Sequence, residues 1–301
     1  MFGFLNVNKP RGPTSHDVVA RIRRMLPKGT KIGHAGTLDP AADGVLVLCV
    51  GPATRLADHV QRGAKRYTAE VTLAAVSTTD DTEGEITPTP GAVPVPRERL
   101  EEALRAFVGR VEQVPPAHSA VHVDGRRAYK LARKGEAPDL APRPVVIHAI
   151  ELLSYEWPTA VLDVRCGVGT YIRALARDLG AALGVGGHLS RLTRTEVGPF
   201  RLDRAVDLDK LDPQGDLISP LAALEELPKV EVGDAKRDLL RMGRAVATDE
   251  PHGQQSVGVG QDMRSDAEVA DVAAVDAAGD LIAIAELRGG MLRPKKVFPA
   301  E

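Results

Sequence analysis

Asp39 is the residue of this 301-residue chain whose setting is best suited to chemistry. It lies between Leu38 and Pro40 in GHAGTLDPAADGVL, residues 33–46, a segment dense in glycine and alanine. Proline biases the preceding residue toward an extended backbone, so we expect this carboxylate on a tight loop. An ionised carboxylate held in place can attack a carbon atom or remove a proton. The alternative is an Asx turn, in which the side chain of Asp39 bonds its own backbone.

The elements that must position Asp39 are strands on both sides of it and a helix. GFLNVNK at 3–9 predicts a strand, and VLVLCV at 45–50 predicts a buried strand directly after the loop. Thr14, with Asp17 three residues later, fits the start of a helix. Its apolar stripe would be Val18, Val19, Ile22 and Met25.

Farther along the chain, strand and helix patterns are mixed without strict βαβ order. Strands are predicted at 66–76, 145–157, 160–166 and 192–200, helices at 97–108 and 169–184, and an acidic, proline-rich loop at 77–96. This mixture favours an α+β fold with a mixed, largely antiparallel sheet flanked by helices. We expect a boundary near 220–228, which divides the chain into a catalytic domain at 1–228 and a smaller domain at 229–301. A stretch at 249–268, rich in glycine and acidic residues, predicts a loop within the smaller domain.

Charge is unevenly distributed along the chain. The formal net charge is −2, yet residues 1–70 carry 11 lysines and arginines against 5 acidic residues, and residues 103–210 carry 16 against 12. The opposite balance holds at 211–301, with 10 basic and 17 acidic residues. A phosphate backbone responds to local patches rather than to the total, so a nucleic-acid partner is compatible with this sequence. The alternative is that the basic blocks are ordinary solvated faces.

Composition indicates a soluble, cytoplasmic protein. No apolar run approaches the roughly 18 residues needed to span a bilayer, and the first residues lack the layout of a signal peptide. The two cysteines, Cys49 and Cys166, lie in apolar or strand-like runs, which predicts buried free thiols rather than a zinc site.

Six segments, in one order along residues 1–200, resemble the bacterial TruB family of pseudouridine synthases, which modify the T-loop of tRNA. The first three are NKPRGPTSHDVVARIRR at 8–24, GHAGTLDP followed by GVL within 33–46, and KRYTAEV at 65–71. The others are PPAHSAVHVDGRRAYKLARKG at 115–135, RCGVGTYIRALARDLG at 165–180 and HLSRLTRTEVGPF at 188–200. The resemblance implies the pseudouridine synthase fold, a monomer, and isomerisation of uridine 55 without a metal or cofactor.

The resemblance also implies a catalytic set of Asp39, Tyr67 and Arg173. Arg173 would hold the Asp39 carboxylate through two parallel hydrogen bonds. Tyr171 lies two residues before Arg173, so both side chains can face one site only near the junction of strand and helix. The Tyr67 ring would stack on the base while its hydroxyl bonds or relays a proton. Without the family, Arg173 would be placed on an exposed helix face, Tyr171 in the core, and Tyr67 on a strand where it packs against the neighbouring strand.

Contacts with RNA are implied at other positions of the matching segments. A uridine in a folded T-loop must be flipped out to react, and His34 would fill the gap that it leaves. Leu189 would lie at the substrate, and Lys9 with Pro10 would support the catalytic loop or touch RNA. A basic insertion at about 115–144 would grip the RNA phosphates. Its candidate contacts are Arg126, Arg127 and Lys130.

Two departures from the family pattern occur in this insertion. His118 and His122 stand where a tyrosine and a lysine are expected, which should tune the grip on RNA and leave the chemistry untouched. Residues 229–301 resemble a PUA domain, a small β-barrel-like module that binds RNA, although their excess of acidic residues argues against a strong RNA contact.

Two other functions compete with this hypothesis. CGVGTYI places a Gly-x-Gly run between a strand and a helix, as in dinucleotide-binding proteins, but it lacks the third glycine and a later acidic partner. A non-catalytic protein that binds and folds tRNA would use the same basic blocks. The set of Asp39, Tyr67 and Arg173 discriminates, because a pure binder has no need to hold these residues together.

Overall fold

The computed structural model describes residues 1–119, 121–123, 126–128, 140–248 and 269–299. Lys130 and the predicted loop at 249–268 lie outside these residues. Only the backbone is described at Arg126 and Arg127, so their predicted contacts with RNA also lie outside it.

Strands and helices in the described part of the chain have the following bounds. The strands are β1 Gly3–Lys9, β2 Ile32–His34, β3 Asp43–Val50, β4 Lys65–Leu73, β5 Ala75–Ser77, β6 Ile86–Pro88, β7 Gly109–Gln113, β8 His122–Val123, β9 Arg126–Arg127, β10 Arg143–Glu156, β11 Thr159–Cys166, β12 Gly187–Val197, β13 Phe200–Arg201, β14 Val206–Asp207, β15 Lys229–Glu231, β16 Val246–Ala247, β17 Ala270–Val275, β18 Leu281–Arg288 and β19 Met291–Val297. The α-helices are α1 Ser15–Arg23, α2 Ala57–Arg62, α3 Arg97–Arg105, α4 Ile172–Leu183 and α5 Asp234–Arg241.

The larger body of the molecule is a ten-stranded sheet. Its order is β14-β1-β3-β12-β4-β11-β10-β7, with β2 paired to β3 and β13 paired to β12. Only the pairings of β1 with β14 and of β3 with β12 are parallel among the strands described in this sheet. The predicted α+β class and the mixed, largely antiparallel sheet are therefore confirmed.

Strand β3 follows the Asp39 loop and is buried on both faces. Leu46, Leu48 and Val50 pack against the apolar side of α1, and the alternate residues Val45 and Val47 enter a second core. Because successive side chains of a strand point to opposite faces, a strand between two cores needs an unbroken apolar run. This explains VLVLCV and confirms the predicted strand at 45–50.

Helix α1 begins with the predicted capping box. Thr14 accepts from the Asp17 backbone N–H, and the Asp17 carboxylate accepts from the Thr14 N–H. The apolar stripe is buried as predicted at Val18, Val19 and Ile22. Met25 departs from the prediction, because the helix ends at Arg23 and leaves this side chain 48% exposed.

Helix α4 lies across the main sheet and carries Arg173. Its apolar side, including Leu175 and Leu179, packs into the same core as β4, β11 and β12. Gly180 is required for this close packing, because a Cβ atom there would lie 2.2 Å from the backbone of Gly186. The helix begins at Ile172, later than the predicted 169, because Tyr171 has an extended backbone.

Three further predictions about element bounds are corrected by the structure. The strand expected at 66–76 is interrupted at Ala74, which has a φ of 66°. The loop expected at 77–96 contains β6, which pairs with β5. The helix expected at 97–108 ends at Arg105, where the chain continues in turns.

A second sheet, of order β15-β17-β18-β19-β16, contains the C-terminal strands. It is an open half-barrel, in agreement with the predicted barrel-like unit. The two sheets share an apolar core, in which the Phe2 and Phe298 rings stack with their centres 5.1 Å apart. The Arg55 guanidinium lies 5.2 Å from the centre of the Phe298 ring.

Cys49 and Cys166 are buried free thiols, as predicted. No described helix is long and apolar enough to cross a bilayer.

Candidate active site

Asp39 lies in the loop between β2 and β3, where hydrogen bonds hold the backbone on both sides of it. The Ser15 hydroxyl accepts from the Leu38 N–H and donates to the Leu38 carbonyl, each at 2.9 Å. The Gly12 N–H donates to the Pro40 carbonyl at 2.8 Å. Because neighbouring residues hold the loop, the Asp39 carboxylate is not needed for it and can face the site.

Arg173 pairs with this carboxylate, as predicted. Its Nε lies 3.1 Å from Asp39 Oδ2, and the Arg173 side chain is 7% exposed against 38% for Asp39. The two parallel bonds that we expected are not formed, because the other nitrogens have different partners. Nη2 donates to the His118 carbonyl at 3.0 Å, and Nη1 faces Asp81. The alternative that Arg173 lies on an exposed helix face is therefore wrong. Asp39 is the solvent-facing end of a buried network of charged side chains.

Asp81 is a member of this network that the sequence does not single out. Its Oδ2 lies 3.5 Å from Arg173 Nη1, and its side chain is 6% exposed. The Thr79 hydroxyl donates to Asp81 Oδ1 at 2.5 Å. Because Asp81 supplies a buried negative charge, Arg173 stays paired even while Asp39 engages another group. Four acidic residues occur within 80–85, and nothing in their spacing distinguishes this one.

The two predicted tyrosines lie close to the Asp39–Arg173 pair. Tyr67 on β4 stands opposite Arg194 of β12, and the electrostatic influence of Asp39 reaches it. Burial raises the pKa of Tyr67, and Arg194 partly offsets this. Burial likewise raises the pKa of Tyr171, whose neighbours include Ser119, Arg173 and Asp39. Both hydroxyls are therefore protonated near pH 7 and can donate hydrogen bonds.

A small, open cavity lies beside Asp39. Asp81 and Arg173 line one part of it, and Leu189 with its neighbours at the start of β12 lines another. The Leu189 N–H donates to the Asp80 carbonyl at 2.9 Å, which ties β12 to the loop that carries Asp81. The cavity thus combines an apolar wall with an ion pair, which suits a flat, polar-edged base.

Arg194 holds the Asp39 loop directly, and Lys9 holds the adjacent segment at 10–13, whose Gly12 N–H bonds Pro40. The buried Arg194 guanidinium donates to the carbonyls of Val45, Thr37 and Gly36 at 2.8, 3.1 and 3.2 Å. Lys9 is fully buried, and its Nζ donates to the Pro10 and Pro13 carbonyls, each at 2.9 Å. Of the two roles implied for Lys9, burial favours support of the loop over contact with RNA.

Replacement of Arg194 by lysine should destabilise the protein and slow its reaction. A single ammonium on a flexible stem cannot reach carbonyls on both sides of the loop, so at least one buried acceptor loses its partner. We expect a loss of about 2 kcal/mol of unfolding free energy, measured by denaturant titration, with a slower single turnover. Arg201→Lys, at an exposed position of the neighbouring strand β13, is the matched control. Unchanged stability in Arg194→Lys would show that this side chain does not support the loop.

His34 lies at the end of β2, next to the Asp39 loop. Its ring meets the His16 ring edge-on with centres 5.1 Å apart. Burial lowers the pKa of His34, and His16 and Arg194 lower it further, so the ring is neutral near pH 7. A neutral, flat ring is compatible with the predicted role of filling the space that a flipped base leaves.

Metal binding is not indicated in the described part of the chain, where no group of three or more His, Cys, Asp and Glu side chains could hold an ion. The expected independence from metal and cofactor remains a prediction.

Family models match two consecutive parts of the chain. The model described as TruB family pseudouridylate synthase, N-terminal domain, matches residues 23–172. The model described as tRNA pseudouridylate synthase B C-terminal domain matches residues 173–219.

Similar proteins extend over nearly the whole chain. tRNA pseudouridine synthase B of Leifsonia xyli subsp. xyli (strain CTCB07) is 44% identical, with 99% of this chain and 97% of that protein covered. The protein of the same name from Arthrobacter sp. (strain FB24) is 42% identical, with 98% and 96% covered. Among solved structures, a chain of a Cbf5–Nop10–Gar1 complex superposes with a TM-score of 0.71 at 27% identity, covering 99% of this chain and 85% of that one.

Proposed function

The chain belongs to the TruB family of pseudouridylate synthases and isomerises uridine to pseudouridine in tRNA, and we propose that its target is uridine 55 of the T-loop. The observation that supports the proposed site is the contact of 3.1 Å between Asp39 and Arg173, which come from distant parts of the sequence. A T-loop substrate agrees with this site, since a uridine must leave its folded loop before it can reach the Asp39 carboxylate.

The reaction requires one bond to break and another to form. The bond between uridine N1 and ribose C1′ breaks, the base turns, and C5 joins C1′. C5 loses a proton and N1 gains one, so atoms and charge balance without an oxidant or reductant. In our proposal Asp39 carries out the step that frees the base, by attack on the ribose or the base or by removal of a ribose proton. Arg173 orients this carboxylate and balances its charge.

The remaining site residues bind the flipped nucleotide. Tyr67 and Tyr171 lie within electrostatic reach of Asp39, where a ring can stack on the base and a protonated hydroxyl can donate to it or relay a proton. Leu189 forms the apolar wall. His34 fills the vacated space in the T-loop, and Lys9 supports the loop of Asp39.

We further propose how the rest of the chain serves this reaction. Residues 1–228 form the catalytic domain, and residues 229–301 form a PUA-like domain beside it. The basic insertion at 115–144 grips the T-arm through Arg126, Arg127 and Lys130. The protein acts as a monomer in the cytoplasm, where its tRNA substrate is found.

Labelled tRNA tests the proposed position directly. Transcripts that carry tritium at C5 of uridine 55 alone should release it to water during turnover, because C5 loses its hydrogen. Matched transcripts labelled only at uridine 54 should retain their tritium. The reaction should proceed equally in EDTA, as expected for a mechanism without metal. Release from uridine 54 with retention at uridine 55 would reject the position; failure to release from any uridine would reject the function.

Removal of Arg126 and Arg127 should weaken tRNA binding and reduce its dependence on salt. Each arginine that neutralises a phosphate releases counterions, so the slope of log affinity against log salt should fall by about 1 per lost contact. Affinity is measured by filter binding from 50 to 300 mM salt for Arg126→Ala with Arg127→Ala. The control, Arg97→Ala with Arg105→Ala, removes the same charge from the exposed side of α3. Equal slopes in wild type and the Arg126/Arg127 variant would show that the insertion does not contact phosphate.

A further inference from the structure

A buried glutamine outside the predicted site, Gln113, bonds both backbone groups of Tyr171. It is the last residue of β7 and is 4% exposed. Its Oε1 accepts from the Tyr171 N–H at 2.8 Å, and its Nε2 donates to the Tyr171 carbonyl at 3.1 Å. A primary amide can accept at one end and donate at the other, so this side chain reproduces the paired bonds between two opposite residues of an antiparallel ladder.

Tyr171 is the residue at which the extended chain becomes helix α4. Its φ of −105° and ψ of 113° are extended, and its own side chain does not cap the helix. The N–H groups at the start of a helix have no partner within it, so the backbone here depends on neighbouring groups. A rotation at this junction would move the Tyr171 ring and, two residues later, the Arg173 guanidinium.

The chain that follows Gln113 continues along the same helix. The Val114 carbonyl accepts from Arg177 Nη2 at 2.8 Å, and the His118 carbonyl accepts from Arg173 Nη2 at 3.0 Å. Residues 113–118 therefore contact the start of α4 at three places: the backbone of Tyr171 and the side chains of Arg173 and Arg177. These contacts fix the position of Gln113 relative to the cavity beside Asp39.

We propose that Gln113 is a positioning residue for the pseudouridine reaction, acting through Tyr171 and Arg173. It sets the angle at which the extended chain enters α4, and this angle decides whether Arg173 Nε meets Asp39. The inference rests on the roles of Tyr171 and Arg173 in the proposed function. A purely structural role competes with it, because any buried amide that bonds the backbone contributes to stability.

Gln113→Glu separates the two roles through its pH dependence. The introduced carboxylate can accept from the Tyr171 N–H but cannot donate to the Tyr171 carbonyl, whereas the protonated carboxyl can do both. Burial and the facing Tyr171 carbonyl raise the pKa of this carboxyl group and outweigh the opposing influence of Arg173 and Arg177 on α4, so the protonated form is accessible in mildly acidic solution. We expect the single-turnover rate of Gln113→Glu, relative to wild type at the same pH, to rise at least about tenfold from pH 8 to pH 5.5, because the protonated fraction changes up to tenfold per unit.

Gln113→Ala provides the second measurement. It should slow single turnover about 10- to 100-fold at every pH, because small errors in position cost this much, while tRNA affinity stays within about threefold of wild type. Leu104→Ala, in the core under α3, serves as the control for lost stability. Its rate should remain near that of wild type at a temperature where both variants are folded.

Two results would overturn this inference. One is that the single-turnover rate of Gln113→Glu, divided by that of wild type at the same pH, does not change with pH. The other is an equal loss of rate in Gln113→Ala and Leu104→Ala. The proposed function is tested separately, because it fails if Arg173→Ala retains the wild-type rate. If Arg173→Ala is inactive but the relative rate of Gln113→Glu does not change with pH, only the role of Gln113 is rejected.

Discussion

Asp39→Asn binds tRNA with wild-type affinity and releases no measurable tritium from uridine 55: this is the largest effect that we expect. Asparagine has almost the same shape and keeps an oxygen that can accept from Arg173 Nε, so the loop and the cavity should be unchanged. It lacks the negative charge that either attack or proton removal requires. We expect the single-turnover rate to fall below about one-thousandth of wild type, a loss of at least about 4 kcal/mol of transition-state stabilisation.

A second aspartate near the same loop supplies the matched control. Asp43 begins β3, and its carboxylate accepts from the Thr193 hydroxyl at 2.5 Å rather than facing Arg173. Asp43→Asn makes the same chemical change and should keep more than about a tenth of the rate, since the amide oxygen can still accept from Thr193 and only a partly exposed pairing with Arg191 is lost. Full activity in Asp39→Asn would falsify the catalytic role and return this residue to the Asx-turn interpretation. A folded Asp39→Asn that no longer binds tRNA would instead assign Asp39 to recognition.

The parts of the fold that follow from local sequence were predicted well. Thr14 and Asp17 form their capping box from four consecutive residues, and the unbroken apolar run of β3 identifies a strand between two cores. Local patterns also placed Asp39 on a loop, because Pro40 restricts it without help from distant parts of the chain. The break at Ala74 escaped prediction because a non-glycine residue with positive φ leaves no signal in the sequence.

The site itself depends on contacts that no local pattern contains. Residues alone would have left Arg173 on an exposed helix face, and only the resemblance to a family assigned it to Asp39. Asp81 and Gln113 reach the site through contacts between elements that are distant in the sequence. In the sequence itself, neither residue differs visibly from other acidic or amide residues nearby. Their roles become visible only in the folded chain, where the loop after β5 is bonded to β12 and the end of β7 meets helix α4.

Arg173→Ala is the second large effect that we expect, and it must be separated from a loss of stability. Removal of this guanidinium frees Asp39 and also leaves the buried Asp81 carboxylate without its cation, which costs about 3–5 kcal/mol in comparable buried pairs. A slow variant could therefore simply be a partly unfolded one. Denaturant titration of Arg173→Ala should show this loss, and its single-turnover rate should be at least about 100-fold below wild type.

The double variant Arg173→Ala with Asp81→Asn distinguishes the two causes. Neutralising Asp81 removes the unpaired buried charge, so most of the lost unfolding free energy should return. The rate should not return, because Asp39 still lacks the cation that orients it. Affinity for tRNA should stay within about threefold of wild type throughout, since Arg173 is buried and its charge serves Asp39 rather than the RNA phosphates. Recovery of stability and rate together would instead make Arg173 a structural partner of Asp81, with Asp39 working alone.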